Sequence, residues 1–141
     1  MAGEFVVDAS VVAKLYFPEN DSDLARIVLG GGDRVIAPDL LFVEMASIAA
    51  KKVRGGLAPM ESAVQWVNSL TLLLDEWVSS SMLAGRAFNL AATHGFSAYD
   101  GTYLALAEAR GFELLTADIK LVRLARDAGF GALLRPLSPM D

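Results

Sequence analysis

The chain has 141 residues and no cysteine, which suits one compact domain, residues 1–141, and excludes disulfide staples and thiolate metal sites. A net charge of −5 argues against a surface that binds nucleic acid through bulk positive charge, while 54% hydrophobic residues and a mean hydropathy of +0.42 point to apolar surface available for a partner or for self-association. No run of about 18 apolar residues is present, and the opening MAGEFVVDAS lacks both a basic region and a long apolar core, so the sequence predicts a cytoplasmic chain with no signal peptide and no membrane span.

In chain order, Phe5-Val6-Val7 is a β-branched run ending at Asp8 and reads as a first strand. Ser10 to Phe17 reads as a helix stopped by Pro18, and Asp21 to Leu29 as a second helix ended by Gly30-Gly31-Gly32. Arg34 to Ala37 is a second strand. Asp39 to Val53 is a long helix closed by Gly55-Gly56, and Pro59 opens another that runs to about Leu73. Trp77-Val78 is a short strand, followed by helices over Ser81–His94 and Ser97–Arg110, each closed by glycine. Glu113 to Leu115 is a strand, Asp118 to Ala128 a helix, and Ala132 to Leu134 a last strand before a tail containing Pro136 and Pro139. Strands alternating with helices predict an α/β fold with a mostly parallel sheet. The two helices between Asp39 and Leu73, with no strand between them, predict a hairpin that projects from the sheet.

Four acids stand out. Asp8 and Asp118 follow strand ends, where ligands of open α/β sheets bind. Glu44 and Asp100 lie on helix faces that are otherwise apolar: Leu40, Leu41 and Ile48 are within one turn of Glu44, and Phe96, Tyr103 and Leu104 within one turn of Asp100. An unpaired carboxylate buried on such a face is costly, by several kcal/mol as a rough estimate, so something should compensate it. All-oxygen ligation suits a hard cation such as Mg²⁺ or Mn²⁺. Each position also has a simpler explanation. Asp8, Ser10 and Asp118 can cap helices, and Ser97-Ala98-Tyr99-Asp100 matches a capping box. Capping explains the positions singly but not the set. If four of the seventeen acids belong to one site, thirteen remain against twelve bases, so the negative balance does not exclude an RNA substrate.

The stretches VVDASVVAKL, LLFVEMASIA, FSAYDGTYLALAEARG and ELLTADIKL, in that order and spanning essentially the whole chain, resemble the PIN-domain nucleases, in particular the VapC toxins of toxin–antitoxin pairs. The resemblance implies a three-layer α/β/α sandwich around a parallel sheet, and RNA cleavage dependent on Mg²⁺ or Mn²⁺. It carries the family's acids over to Asp8, Glu44, Asp100 and Asp118, and its site hydroxyl to Thr116, with Ser10 as a second polar neighbour. It also implies a VapB-like antitoxin partner and a homodimer. Many relatives have a further acid after the last motif, where this chain has Ile119-Lys120-Leu121, so one-metal and two-metal chemistry both stay open.

Such chemistry needs no side-chain nucleophile, in keeping with no cysteine and a single histidine. Asp8, Asp100 and Asp118 are read as direct or water-mediated ligands, Glu44 as a ligand or a water-orienting base, and Thr116 and Ser10 as hydrogen-bonding support. His94 precedes Gly95 at a helix C-terminus and is read as structural. Among bases that could meet phosphate (Lys51, Lys52, Arg54, Lys120, Arg123, Arg126), Lys14 is the preferred candidate. Leu57, Met60, Trp66, Val67, Leu70 and Trp77 supply apolar area near the hairpin for a partner surface or for core. A haloacid-dehalogenase-type phosphotransferase would need an acid where Ser10 stands, and a binding module that had lost its chemistry would not be expected to keep all four acids. The resemblance fits both a toxin and a housekeeping RNA-processing nuclease; an adjacent small antitoxin gene would favour the first.

Overall fold

A computed structural model describes residues 3–140; residues 1, 2 and 141, the ends of the expected domain, lie outside the described residues. Five strands form one sheet: β1 (Glu4–Val7), β2 (Arg34–Pro38), β3 (Glu76–Val78), β4 (Glu113–Thr116) and β5 (Leu134–Pro136). Their order is β3-β2-β1-β4-β5 and every pairing is parallel. The expected mostly parallel sheet is thus parallel throughout. Both faces of such a sheet are covered, which explains why β1, β2 and β4 are apolar without alternation. Phe5, Val6, Val7, Val35, Ile36, Ala37, Leu114 and Leu115 are all buried.

Helices α1 (Ala9–Tyr16) and α2 (Ser22–Leu29) connect β1 to β2, and α3 (Leu40–Arg54), α4 (Met60–Asn68) and α5 (Leu70–Leu73) connect β2 to β3. Helices α6 (Ser80–His94) and α7 (Ala98–Arg110) return the chain across the sheet to β4, and α8 (Ile119–Asp127) leads to β5 through a short 3-10 turn at Gly131–Leu133. Right-handed crossovers place connections that run in opposite directions on opposite faces. The packing agrees: α1 contacts α2 and α3, α3 contacts α4, and α6 packs along α7, which itself lies on β1, β2 and β4. The chain reverses direction across the sheet between β1 and β4. Their carboxyl ends therefore border the crevice where open α/β sheets take ligands.

Two expectations need correction. The single helix expected from Pro59 to about Leu73 is broken at Ser69, whose hydroxyl donates to the Trp66 carbonyl at 2.8 Å. The break lets Leu70 and Leu74 turn into the core, both being buried. Leu70 accordingly belongs to the core and not to a partner surface. The last strand is displaced from Ala132–Leu134 to Leu134–Pro136, because Gly131–Leu133 forms the 3-10 turn. Pro136 is tolerated there because β5 is an edge strand, paired with β4 alone.

Candidate metal centre

Asp8 and Thr116 meet because β1 and β4 are adjacent and in register, Val7 lying opposite Leu115. Asp8 N–H donates to the Leu115 carbonyl at 3.0 Å, continuing the ladder by one residue. The Thr116 hydroxyl donates to Asp8 Oδ2 at 2.7 Å, and the Ser10 hydroxyl to the same oxygen at 2.8 Å. Ser10 Oγ in turn accepts from Ala117 N–H, and Thr116 Oγ1 from Asp118 N–H, each at 3.0 Å. Ser10 and Thr116 thus tie the turn after β1 to the turn after β4. Asp8 sits at the N-cap position of α1 but makes no side-chain cap, so capping does not account for it. Asp118 does cap: its Oδ1 accepts from Leu121 N–H at 3.2 Å.

The helical acids are brought in from both faces. Glu44 lies on the second turn of α3, half-buried, with Oε1 accepting from the buried Tyr103 hydroxyl at 2.6 Å. Asp100 lies on the first turn of α7, also half-buried. Ser97 Oγ accepts from Asp100 N–H at 3.0 Å, so this half of the expected capping box forms through the backbone and does not consume the carboxylate in a cap. The seat of α7 against α6 is close at Gly101, where a Cβ would lie 2.8 Å from the Ala87 carbonyl oxygen. A glycine beside Asp100 thus allows the approach that holds this turn in place.

The acids feel one another. Burial pushes the Asp8 carboxyl up; Thr116 and Ser10 oppose that, and the charge of Asp118 adds to it. Burial likewise raises Glu44, opposed by Tyr103 and reinforced by Asp8 and Asp100. Asp100 is pushed up to about 6, by burial first and then by the charges of Asp8 and Asp118. The Tyr103 hydroxyl is raised by burial and by Glu44, which keeps it protonated as a donor. Among the described residues, no ion pair reaches Asp8, Glu44, Asp100 or Asp118.

This donor set fits a hard divalent cation: four carboxylates, supporting hydroxyls, no sulfur or imidazole, and among the described residues no ion pair to balance them. Among the described residues no three such side chains stand together as a ready-made cage. Mg²⁺ keeps several waters and uses only one or two direct carboxylates. Close three-way grouping is therefore a stricter demand than the ion makes.

The other sequence candidates lie differently. The Lys14 ammonium donates to the Asn20 carbonyl at 2.7 Å and pairs with Glu19 at 3.4 Å, so it would have to leave both to reach a phosphate. His94 packs edge-on against Phe96 and Phe130 at the end of α6. Trp66 packs against Tyr16 and Phe17, whereas Trp77 meets Phe42 edge-on and stays 45% exposed. Tyr103 was legible only as an apolar neighbour. Its spacing of three residues from Asp100 places it on the same helix face, but nothing in the sequence pairs it with Glu44.

The PIN domain family profile matches residues 5–127. The chain belongs to the PIN domain family. Among relatives of this PIN domain, ribonuclease VapC3 of Pyrobaculum aerophilum is 35% identical over 120 residues, covering 84% of this chain and 92% of its own. The solved protein PAE2754 of Pyrobaculum aerophilum superposes with a TM-score of 0.68 at 22% identity, covering 88% of this chain and 81% of its own. A toxin–antitoxin complex from Klebsiella pneumoniae contains a chain with a TM-score of 0.67 at 13% identity, covering 96% of this PIN domain and 99% of that chain. At those identities the two structures speak for the fold, which is the expected α/β/α arrangement. No helix among the described residues is long and apolar enough to cross a membrane.

Proposed function

We propose that this chain is an endoribonuclease dependent on Mg²⁺ or Mn²⁺, and the toxin of a VapBC-type pair. One observation carries the reading: at the switch point of the sheet the proton affinities of Asp8, Glu44 and Asp100 are raised by burial and by one another's charges together with that of Asp118, and among the described residues no ion pair reaches any of the four. The relation to ribonuclease VapC3 supports RNA as the substrate. The likeness to a chain of a toxin–antitoxin complex supports an antitoxin partner, in a cytoplasmic setting that suits a chain without cysteine.

In this reading Asp8, Asp100 and Asp118 hold the ion directly or through water, and Glu44 ligates it or orients the attacking water. A divalent ion held there would lower the pKa of a bound water and offset charge on the phosphoryl oxygens. The residues do the rest. Thr116 and Ser10 favour the ionised form of Asp8 by donating to it, opposing the burial that raises its carboxyl. Ser97 fixes the first turn of α7 that presents Asp100. Lys120 and Arg123, exposed on α8 just beyond Asp118 and outside any ion pair among the described residues, are freer than Lys14 to meet the RNA backbone. Exposed Leu57, Met60 and Val64 offer apolar area for the homodimer or the antitoxin.

Expression of the wild type and of Asp8→Asn, with RNA cleavage followed in Mg²⁺, in Mn²⁺ and in EDTA, tests this. Growth arrest and metal-dependent cleavage, both abolished by Asp8→Asn, are expected. Cleavage without arrest would identify a housekeeping nuclease. Equal cleavage by Asp8→Asn, or none in either metal, would overturn the proposal.

A further inference from the structure

We propose that Tyr103 is a positioning residue: its hydroxyl holds Glu44 by Oε1, so that the other carboxylate oxygen is presented to the ion. This rests on the metal-dependent reading above. Tyr103 is 1% exposed and cannot touch an RNA substrate, so any effect it has on catalysis passes through the groups it contacts. Glu44 is a long side chain, with rotamer freedom to lose. Among the described residues, its one hydrogen-bond donor is Tyr103, 59 positions away on the helix that also carries Asp100. A rigid ring anchored in the core therefore decides where a flexible carboxylate on α3 points.

Two other acids show the same arrangement. Both hydroxyls that reach Asp8, from Thr116 and Ser10, share Oδ2, and Leu121 N–H takes Oδ1 of Asp118. In Glu44 and Asp118 the donor falls on a single oxygen, and in Asp8 both hydroxyls do, beside the Ala9 N–H that also supports its charge. A carboxylate held by one oxygen favours ligation through the other alone. That mode suits the near-octahedral shell of Mg²⁺, whereas Ca²⁺ commonly takes both oxygens of a carboxylate. Among the side-chain hydroxyls of this set, Tyr103 is the one whose partner has no second donor among the described residues, so its loss should release its carboxylate most completely.

Tyr103→Phe keeps the ring and removes the donor. The test is Mn²⁺ affinity by titration calorimetry, kcat and KM on a model RNA, and thermal melting in EDTA, for the wild type, Tyr103→Phe, Glu44→Gln and the double variant. Supporting partners of metal ligands typically matter by about 10- to 100-fold in metal affinity or activity, and a loss of that size in Mn²⁺ affinity or kcat is expected with KM unchanged. In the Glu44→Gln background the same substitution should cost almost nothing further, because the two residues act as one unit. The inference is overturned if Tyr103→Phe matches the wild type in Mn²⁺ affinity and kcat, or if it loses as much with Glu44 already changed. It is also overturned if the only effect is a lower melting temperature in EDTA. A wild type that binds no Mn²⁺ at all would instead remove the metal-dependent reading itself, and this inference with it.

Discussion

Thr116 donates its hydroxyl to Asp8 at 2.7 Å across 108 positions of sequence, and the same oxygen accepts the N–H of Asp118 at 3.0 Å. One buried side chain thus serves two of the four acids, supporting the charge of the first and fixing the turn that carries the second. Thr116→Val keeps the shape and removes both functions. It leaves a buried carboxylate with one donor fewer and strands the Asp118 N–H. A loss of about 1–3 kcal/mol in urea unfolding is expected, together with weaker binding of Mn²⁺. Unchanged unfolding would mean that the hydroxyl contributes nothing to holding Asp8.

The pH dependence of the metal-free protein follows from the crowding of charge. Asp100 is pushed up to about 6, and Asp8 and Glu44 are raised as well. The unfolded carboxylates titrate near 4, so between about 4 and 6 the folded state binds more protons than the unfolded state and stability falls as pH rises. Glu76 and Glu108 are held below their ordinary values by Arg110 and Arg86, and the stability they lend is lost only at more acid pH. The urea midpoint in EDTA should therefore be higher at pH 5.5 than at pH 7.5, values chosen as about half a unit below and well above the Asp100 transition. With Mg²⁺ present, protons compete with the ion and the order should weaken or reverse. A midpoint in EDTA that climbs steadily towards pH 7.5 would contradict the crowding.

Two glycines in the paired helices α6 and α7 should answer oppositely to the same substitution. Gly→Ala inside a helix ordinarily stabilises by about 0.5–1 kcal/mol. Gly85 has open space around an added Cβ and should show that gain. At Gly101 the added carbon meets the Ala87 backbone at 2.8 Å, so one helix must shift, with an expected loss of about 1–3 kcal/mol. Because Asp100 is adjacent, Gly101→Ala should also reduce cleavage, whereas Gly85→Ala should not. Paired denaturation curves and cleavage rates check both.

Asp100→Asn separates a site residue from a capping residue. Ser97 caps through the Asp100 backbone N–H, which asparagine retains. The substitution removes a charge that repels Asp8 and Asp118. Cleavage should be lost, while the melting temperature in EDTA stays level or rises. A clear drop in that temperature would assign the carboxylate a structural role.

The four acids of the candidate site stand out in the sequence because each departs from its local pattern. Asp8 and Asp118 stand at strand ends, and Glu44 and Asp100 sit on apolar helix faces, Glu44 with no local reason to be there and Asp100 with only half a capping box to explain it. The parallel sheet was legible from unbroken apolar strands alternating with helices. The break at Ser69 was not, because Leu70 reads equally well as the next turn of an amphipathic helix until the core claims it. The shift of β5 depends on pairing with β4, which local propensity does not carry. Lys14 was placed by its distance from Asp8 along α1, yet its ammonium is taken by Glu19 and Asn20 in the following loop. Tyr103 was hidden for the same reason: its partner Glu44 comes from the opposite side of the sheet.

The central claim is that four carboxylates from distant segments form one site for a hard cation. Calorimetric titration of metal-free protein with Mn²⁺, set beside Asp8→Asn, tests it most directly. Saturable binding by the wild type, accompanied by proton release near pH 6 and lost or greatly weakened in Asp8→Asn, is the expected result. No saturable binding, or equal binding by Asp8→Asn, would contradict it.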